Sequence, residues 1–299
     1  MTTGPAGGGG AGTPPRPKLR EVIARHGLAA RHALGQHFLL DEQLTARIVR
    51  LAGDLAGRQV LEVGPGPGGL TRALLDSPVA RIVAVERDAR AVAALTALAA
   101  EAPARLWVIE GDALATDATA LLDPPRQVIA NLPYNIATPL LIGWLRQAGA
   151  FERLTLMFQQ EVAERIVAVP GSGAYGRLSV LAQWTCAARL GLRLPPAAFT
   201  PPPRVHSAVI VLTPHADQPP PALFAAMERL TAAAFGQRRK MLRGALRALL
   251  ADAAVAALLG AGGIAPERRA ETLSVAEFDR LARLLADAYA DAGQGKELP

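Results

Sequence analysis

The chain has 299 residues, enough for two folded domains, and 51% of them are hydrophobic while only 4% are aromatic. Its single cysteine, Cys186, excludes an internal disulfide and a cysteine metal cluster, as is typical of a cytoplasmic protein. A formal net charge of +6 and a pI near 10.2 favour an anionic partner such as RNA.

The N-terminal 17 residues are rich in glycine and proline and have no apolar stretch of the kind that a secretory signal requires. We therefore expect residues 1–17 to form a disordered tail. Residues 18–26 then predict a helix that ends at Gly27.

A glycine-rich turn follows the first apolar strand. Residues 60–63 predict that strand, residues 64–69 read GPGPGG, and a helical pattern begins at Leu70. This order is the opening of a doubly wound nucleotide-binding fold. Because Pro65 and Pro67 remove N–H donors that a pyrophosphate would need, a nucleoside cofactor without phosphate fits the turn better.

Acidic residues end the next two predicted strands. Residues 81–85 lead to Glu86, about twenty residues after the glycines, where an acid can accept hydrogen bonds from both ribose hydroxyls. Residues 106–110 lead to Asp112, which could accept a hydrogen bond from an adenine amine. Taken singly, Glu86 could equally be a solvated strand end, and Asp112 a helix N-cap.

The fourth strand, residues 128–130, leads into Asn131-Leu132-Pro133-Tyr134. An adenine N6 is a weak nucleophile, and the Asn131 amide oxygen and the Leu132 carbonyl could accept its two hydrogens. Pro133 keeps the preceding backbone extended, and Tyr134 offers a face on which a flipped-out base can stack. The alternative is an ordinary turn at the end of a strand.

These strand ends carry Gly, Glu, Asp and Asn in that order and should line one crevice at the carboxyl edge of a parallel sheet. In this order they indicate S-adenosylmethionine as the cofactor.

Further strands are predicted at 154–158 and 208–212, and the proline-rich residues 215–221 predict a linker. Beyond it the pattern is helical, and its longest apolar stretch, 253–265, is too short to span a bilayer. A helix over 224–250 would carry five cations that suit a phosphate backbone. They are Arg238, Arg239, Lys240, Arg243 and Arg247. Three of them, Arg239, Arg243 and Arg247, would share one face; the alternative is a solvated helix face.

At this point the chain resembles the bacterial ribosomal RNA adenine dimethyltransferases that modify two adjacent adenines near the 3′ end of small-subunit rRNA. Besides the glycine turn and NLPY, the resemblance rests on four segments and covers roughly residues 18–285. They are LGQHFL at 34–39, AYGRLSV at 174–180, FTPPPRV at 199–205 and FGQRRK at 235–240.

The resemblance implies a role for particular residues. His37, where asparagine is commoner, and Leu39 would contact the cofactor, together with Gly64, Glu86, Asp112 and Asn131. Phe199 would sandwich the target adenine against Tyr134, unless it is an ordinary core residue. The implied fold is α/β: a Rossmann-like methyltransferase domain at 18–214, the linker, and a smaller all-α, RNA-contacting domain at 222–299.

The expected reaction transfers methyl groups from S-adenosylmethionine to N6 of two adjacent adenines in a 16S rRNA hairpin, giving N6,N6-dimethyladenines during ribosome biogenesis. The expected partner is small-subunit rRNA or a precursor of the 30S subunit. We expect a cytoplasmic monomer that uses no metal and no membrane. The alternatives are a large-subunit rRNA methyltransferase of the antibiotic-resistance type, a non-catalytic RNA-binding assembly factor, and a nucleotide-dependent oxidoreductase.

Overall fold

The structure is a computed structural model that describes residues 16–30, 36–237 and 239–293. The predicted tail up to residue 15 lies outside the described residues, and so do Arg238 and the start of the LGQHFL segment. Arg16, the first described residue, forms an ion pair with Asp76 at 2.7 Å, and the Pro17 carbonyl accepts a hydrogen bond from Arg72.

Within the described ranges, nine strands form two sheets. They are β1 (Phe38–Leu39), β2 (Gln59–Val63), β3 (Arg81–Glu86), β4 (Leu106–Glu110), β5 (Arg126–Asn131), β6 (Arg153–Gln159), β7 (Cys186–Leu194), β8 (Phe199–Thr200) and β9 (Ser207–Pro214). The predicted strands all form: the bounds of β4 are as predicted, and those of the others differ by one or two residues.

Helices connect and cover the strands. They are α1 (Leu19–Arg25), α2 (Glu42–Leu51), α3 (Gly69–Leu75), α4 (Ala89–Glu101), α5 (Ala118–Leu121), α6 (Ala137–Leu145), α7 (Gln160–Ile166), α8 (Arg177–Thr185), α9 (Pro221–Gly236), α10 (Leu242–Ala245), α11 (Asp252–Ala261) and α12 (Val275–Gly293). None of these helices is long and apolar enough to cross a membrane.

The large sheet has the order β4-β3-β2-β5-β6-β9-β7. The first five strands in this order are parallel, and β9 and β7 extend the sheet in the antiparallel sense. The chain runs outward from β2 to β4 in one direction and from β5 to β6 in the other. The order therefore reverses between β2 and β5, which is where such sheets bind ligands. The predicted Rossmann-like fold is confirmed.

Both faces of the sheet are buried, because side chains alternate along each strand. On β2, Leu61 packs in a cluster with Leu141 of α6 and Leu181 of α8, whereas Val60 packs in a second cluster with Ile48 of α2 and Leu74 of α3. The helical layers leave the carboxyl ends of the strands as the place where polar loops can meet.

The C-terminal helices share a core with the sheet. Phe224 of α9 and Phe278 of α12 lie in the same hydrophobic cluster as Leu181 of α8. The predicted linker is held against the end of α8, because Gln218 Nε2 and the His215 N–H both donate to the Thr185 carbonyl at 3.0 and 2.9 Å. The division into domains at 18–214 and 222–299 stays a prediction.

The predicted helix over 224–250 is wrong. The first helix, α9, ends at Gly236, the chain turns, and α10 is followed by a 3-10 turn at Leu246–Ala248. The N–H groups of Leu242 and Arg243 donate to the carbonyls of Arg268 and Pro266 instead of to a preceding helical turn. The restart places Leu242 and Leu246 in the core, where both are completely buried, and removal of their apolar surface from water stabilises this arrangement.

Candidate functional site

A crevice lies at the carboxyl ends of β2, β3, β4 and β5. Strand register brings these ends level, since Val63 pairs with Val85 and Glu86 pairs with Glu110. Nine of the ten residues predicted for cofactor binding or catalysis line this crevice. They are His37, Leu39, Gly64, Glu86, Asp112, Asn131, Leu132, Pro133 and Tyr134. The tenth, Phe199, does not.

The glycine turn offers no free N–H group between residues 64 and 68. The Gly64 N–H donates to the Val85 carbonyl and the Gly68 N–H to the Pro65 carbonyl, both at 3.0 Å. The Gly66 N–H donates to Glu86 Oε2 at 3.0 Å, and the two prolines have none. Such a turn suits a ligand that approaches through van der Waals contact better than a phosphate.

Glycine is required in this turn both for backbone conformation and for space. Gly64 and Gly66 have φ of +64° and +57°, values that favour glycine. A Cβ on Gly64 would lie 3.0 Å from the Pro133 ring, and one on Gly66 would lie 3.0 Å from the Phe38 ring. The turn therefore packs directly against both the NLPY segment and β1, so three separate segments form one wall.

Glu86 is 6% exposed and is held entirely by the backbone. Its Oε1 accepts from the N–H groups of Arg87 and Asp88, each at 2.8 Å, and its Oε2 accepts from Gly66. These three hydrogen bonds fix the orientation of the carboxylate. One acceptor position on Oε2 remains for a hydroxyl group in the crevice.

Glu62, which the sequence reasoning did not select, also lines the crevice. It is 1% exposed, and neither carboxyl oxygen completes a hydrogen bond with a described residue. Burial, and to a lesser degree the charge of Glu86, raise the pKa of Glu62 to about 8, while the neighbouring Thr71 hydroxyl offsets this only in part. The sequence did contain an indication of this role, because burying an acid within an apolar strand costs free energy unless a partner compensates its charge.

Asp112 is an N-cap and a crevice residue at once. Its Oδ1 accepts from the Leu114 N–H at 2.9 Å and begins a 3-10 turn. Its Oδ2 has no hydrogen-bond partner among the described residues. The two interpretations of this residue are therefore compatible, because capping uses one oxygen and leaves the other for a ligand.

The Asn131 amide has a fixed orientation. Its Nδ2 donates to the His37 carbonyl at 3.2 Å. A carbonyl oxygen can only accept, so the NH₂ end of the amide must face His37. The acceptor end, Oδ1, therefore points away from that contact and is available to a donor in the crevice.

Tyr134 has His37, not Phe199, as its aromatic neighbour. The two ring centroids are 5.6 Å apart with planes at 31°, and the Tyr134 hydroxyl is 2.6 Å from Ser207 Oγ. Burial raises the pKa of Tyr134, so the hydroxyl stays neutral. Phe199 is 3% exposed and packs in the core beside Leu39, its β8–β1 pairing partner. The structure thus places Phe199 as a core residue, because strand pairing turns its ring inward.

A buried ion pair ties the N-terminal segments to this site. Asp88 is 5% exposed, accepts from Gln36 Nε2 at 3.1 Å and pairs with Arg90 at 2.6 Å. Arg90 also donates to the carbonyls of Gly27 and Ala29. The hydrogen bonds from Arg90 hold the pKa of Asp88 at about 2. These contacts had no signal in the sequence, since Gly27, Ala29 and Gln36 lie more than 50 residues before the Asp88–Arg90 pair.

The basic segment, residues 239–247, does not form the predicted stripe. Arg239 lies in a turn, Arg243 in α10 and Arg247 in the 3-10 turn, so no single helix face carries all three. Arg247 forms an ion pair with Asp252 at 2.7 Å. Arg239, Lys240 and Arg243 are exposed and form no ion pair with a described residue.

Comparison with known proteins gives one family. The model of the family described as ribosomal RNA adenine dimethylase matches residues 27–287. The chain is 62% identical over 268 residues to a ribosomal RNA small subunit methyltransferase A from Gluconobacter oxydans (strain 621H), covering 90% of this chain and 87% of the relative.

Two solved structures have a similar fold. A dimethyladenosine transferase from Plasmodium falciparum has a TM-score of 0.67 at 23% identity, over 88% of this chain and all of that one (100%). The 23S rRNA methyltransferase ErmE has a TM-score of 0.61 at 26% identity, over 83% of this chain and 99% of that one.

Proposed function

The chain belongs to the ribosomal RNA adenine dimethylase family, and from that premise we propose that it transfers methyl groups from S-adenosylmethionine to N6 of two adjacent adenines. The adenines lie in a hairpin near the 3′ end of 16S rRNA, and the products are N6,N6-dimethyladenines made during ribosome biogenesis. The identity to small-subunit methyltransferases favours this substrate over large-subunit rRNA.

The fixed amide of Asn131 is the observation that carries this proposal. Because the His37 carbonyl takes the Nδ2 hydrogen, Oδ1 is presented as an acceptor, as an adenine amine requires. The Leu132 carbonyl is the second acceptor, held extended by Pro133. Accepting both N–H groups localises the N6 lone pair and aims it, so that catalysis lies mainly in positioning.

The crevice fits S-adenosylmethionine. The Glu62 carboxyl completes no hydrogen bond with a described residue, which suits a ligand that brings positive charge into a buried site. The glycine turn suits a ligand without phosphate. Glu86 Oε2 would accept from the ribose, Asp112 Oδ2 from the adenine amine of the cofactor, and Gly64, Leu39 and the 37–39 backbone would pack against it. When bound, the cofactor supplies an electrophilic methyl group on a sulfonium sulfur.

Tyr134 would stack on the target base, and its hydroxyl is held by Ser207 at 2.6 Å. In the described conformation Phe199 is not available as the second wall of a base sandwich. The proposal therefore requires only Asn131, Leu132, Pro133 and Tyr134 at the reacting amine.

The test is mass spectrometry of ribosomal RNA from cells with and without this gene, and from cells that carry only an Asn131→Ala copy. We expect N6,N6-dimethyladenine at two adjacent positions of one 16S hairpin, absent from the deletion strain and from the Asn131→Ala strain. Loss of a methylated adenine from large-subunit rRNA instead would contradict the substrate. Unchanged methylation with defective subunit assembly would indicate a non-catalytic factor.

A further inference from the structure

His37 makes three contacts, two of them with residues of the proposed catalytic segment. Its carbonyl accepts from Asn131 Nδ2 at 3.2 Å, and its ring lies 5.6 Å from the Tyr134 ring. Its Nδ1 is 2.8 Å from the Pro201 carbonyl. The oxygen of Pro201 can only accept, so Nδ1 must carry the hydrogen.

The Pro201 contact connects His37 to the segment that also holds the Tyr134 hydroxyl. Pro201 follows β8, which pairs with β1 through Phe38 and Leu39. The same segment leads into β9, where Ser207 holds the Tyr134 hydroxyl. His37 and Tyr134 are thus each anchored to the 201–207 segment, one on either side of their ring contact.

We propose that His37 is a positioning residue for the methyl-transfer step, which aligns the Asn131 amide and the Tyr134 ring. This inference rests on the proposed function and departs from the expectation that the His37 side chain contacts the cofactor. The hydrogen bond to Pro201 and the contact with Tyr134 engage one nitrogen and one face of the ring, and Asn131 engages the carbonyl. Substitutions of His37 should therefore affect the alignment of Asn131 and Tyr134 much more than they affect cofactor affinity.

Three variants separate the two side-chain contacts. His37→Asn keeps a donor at the δ position for the Pro201 carbonyl but loses the ring, and His37→Phe keeps a ring but loses the donor. His37→Ala loses both, and all three keep the main-chain carbonyl that orients Asn131. A matched control is His215→Ala, because His215 Nε2 also lies near a backbone carbonyl, that of Gln183 at 3.2 Å, but outside the crevice.

The measurements are cofactor affinity by calorimetry, the melting temperature, and kcat and KM for methyl transfer to 30S subunits at saturating cofactor. Each lost contact should lower kcat about three- to tenfold. For His37→Ala, which loses both contacts, the reduction in kcat should be roughly the product of the two single reductions. Cofactor Kd should stay within about threefold of the parent value in all three variants. His215→Ala should match the parent in all four quantities.

Two results would overturn the inference. One is a parental kcat for His37→Ala. The other is a loss explained wholly by cofactor Kd, which would assign the side chain to the cofactor site. Both require an active parent protein. A parent that transfers no methyl group to 30S subunits would contradict the proposed function itself, and so the two failures are distinguishable.

Discussion

Charge is held in opposite ways in the crevice and in the basic segment. In the crevice, Glu86 is buried and bonded to three backbone N–H groups, whereas Glu62 completes no hydrogen bond with a described residue and burial raises its pKa to about 8. In the basic segment, Arg239 and Arg243 project into water, where the effective dielectric is high and salt screens each charge. A substitution in the crevice should have a large and salt-independent effect, whereas one in the basic segment should have a small effect that depends on salt.

The largest expected effect tests the crevice directly. Asn131→Ala removes the amide oxygen that accepts from the adenine amine, and a preorganised group of this kind is worth about 100- to 1000-fold in kcat. Cofactor affinity should change by only a few fold, because the lost interaction acts mainly on the reacting amine. Single-turnover methyl transfer and calorimetry measure the two quantities. A near-parental rate would refute the adenine-amine mechanism.

Glu86→Ala should weaken cofactor binding by about 1.5–3 kcal/mol, the range for hydrogen bonds to a charged group. It also leaves the N–H groups of Gly66, Arg87 and Asp88 without their acceptor, so the melting temperature should fall as well. The control is Glu152→Ala, which removes an acid that pairs with Arg58 outside the crevice. Equal cofactor affinity in parent and Glu86→Ala, measured by calorimetry on folded protein, would remove Glu86 from the site.

Glu62 should make the stability of the cofactor-free protein depend on pH. Burial raises the pKa of Glu62 from 4.5 to about 8, so between these values the folded state binds a proton that the unfolded state has released. Stability must therefore fall as pH rises through this window, by at most about 1.4 kcal/mol per pH unit, and level off above pH 8. Glu62→Gln should remove this slope.

Denaturant unfolding of parent and Glu62→Gln between pH 5 and 8 provides the measurement. Three carboxyls have lowered pKa values: Asp88 and Glu277, both near 2, and Asp117. Their contributions to stability are lost only at lower pH, so they do not produce the slope expected from Glu62. Parallel pH profiles for the two proteins would show that the folded state ionises Glu62 as readily as the unfolded state does.

The crevice was predictable from the sequence, whereas the geometry of the basic segment was not. Glu86, Asp112 and Asn131 each follow a short apolar strand, and the topology of a parallel sheet brings all such strand ends to one edge. Local sequence order was therefore sufficient to find the crevice. The Arg239–Arg243–Arg247 face instead required the predicted helix over 224–250 to stay continuous. The chain leaves the α-helix after Gly236 and again after Ala245, so the three side chains do not share one helix face.

Other features depend on contacts between distant residues and had no local signal. Strand β7 has an irregular register between Leu190 and Leu192 and lies at the sheet edge, so its side chains do not alternate cleanly. Phe199 has the residue type of a base-stacking aromatic, but pairing of β8 with β1 buries it. The Asp88–Arg90 pair joins Gly27, Ala29 and Gln36 to the start of α4, and no sequence motif indicates these contacts.

The smallest expected effects belong to the basic segment and concern the salt dependence of RNA binding. If Arg239 and Arg243 each neutralise one phosphate, Arg239→Gln and Arg243→Gln should each reduce the slope of log K against log salt by about 0.7–0.9. Arg247 is already paired with Asp252, so Arg247→Gln should change the slope by clearly less.

The control is Arg47→Gln, an exposed arginine on α2, on the opposite face of the sheet. Three equal slope changes would mean that RNA displaces Asp252 from Arg247 and that all three arginines contact phosphates without sharing a helix face. Slopes identical to that of the control would move the RNA contact surface away from the basic segment.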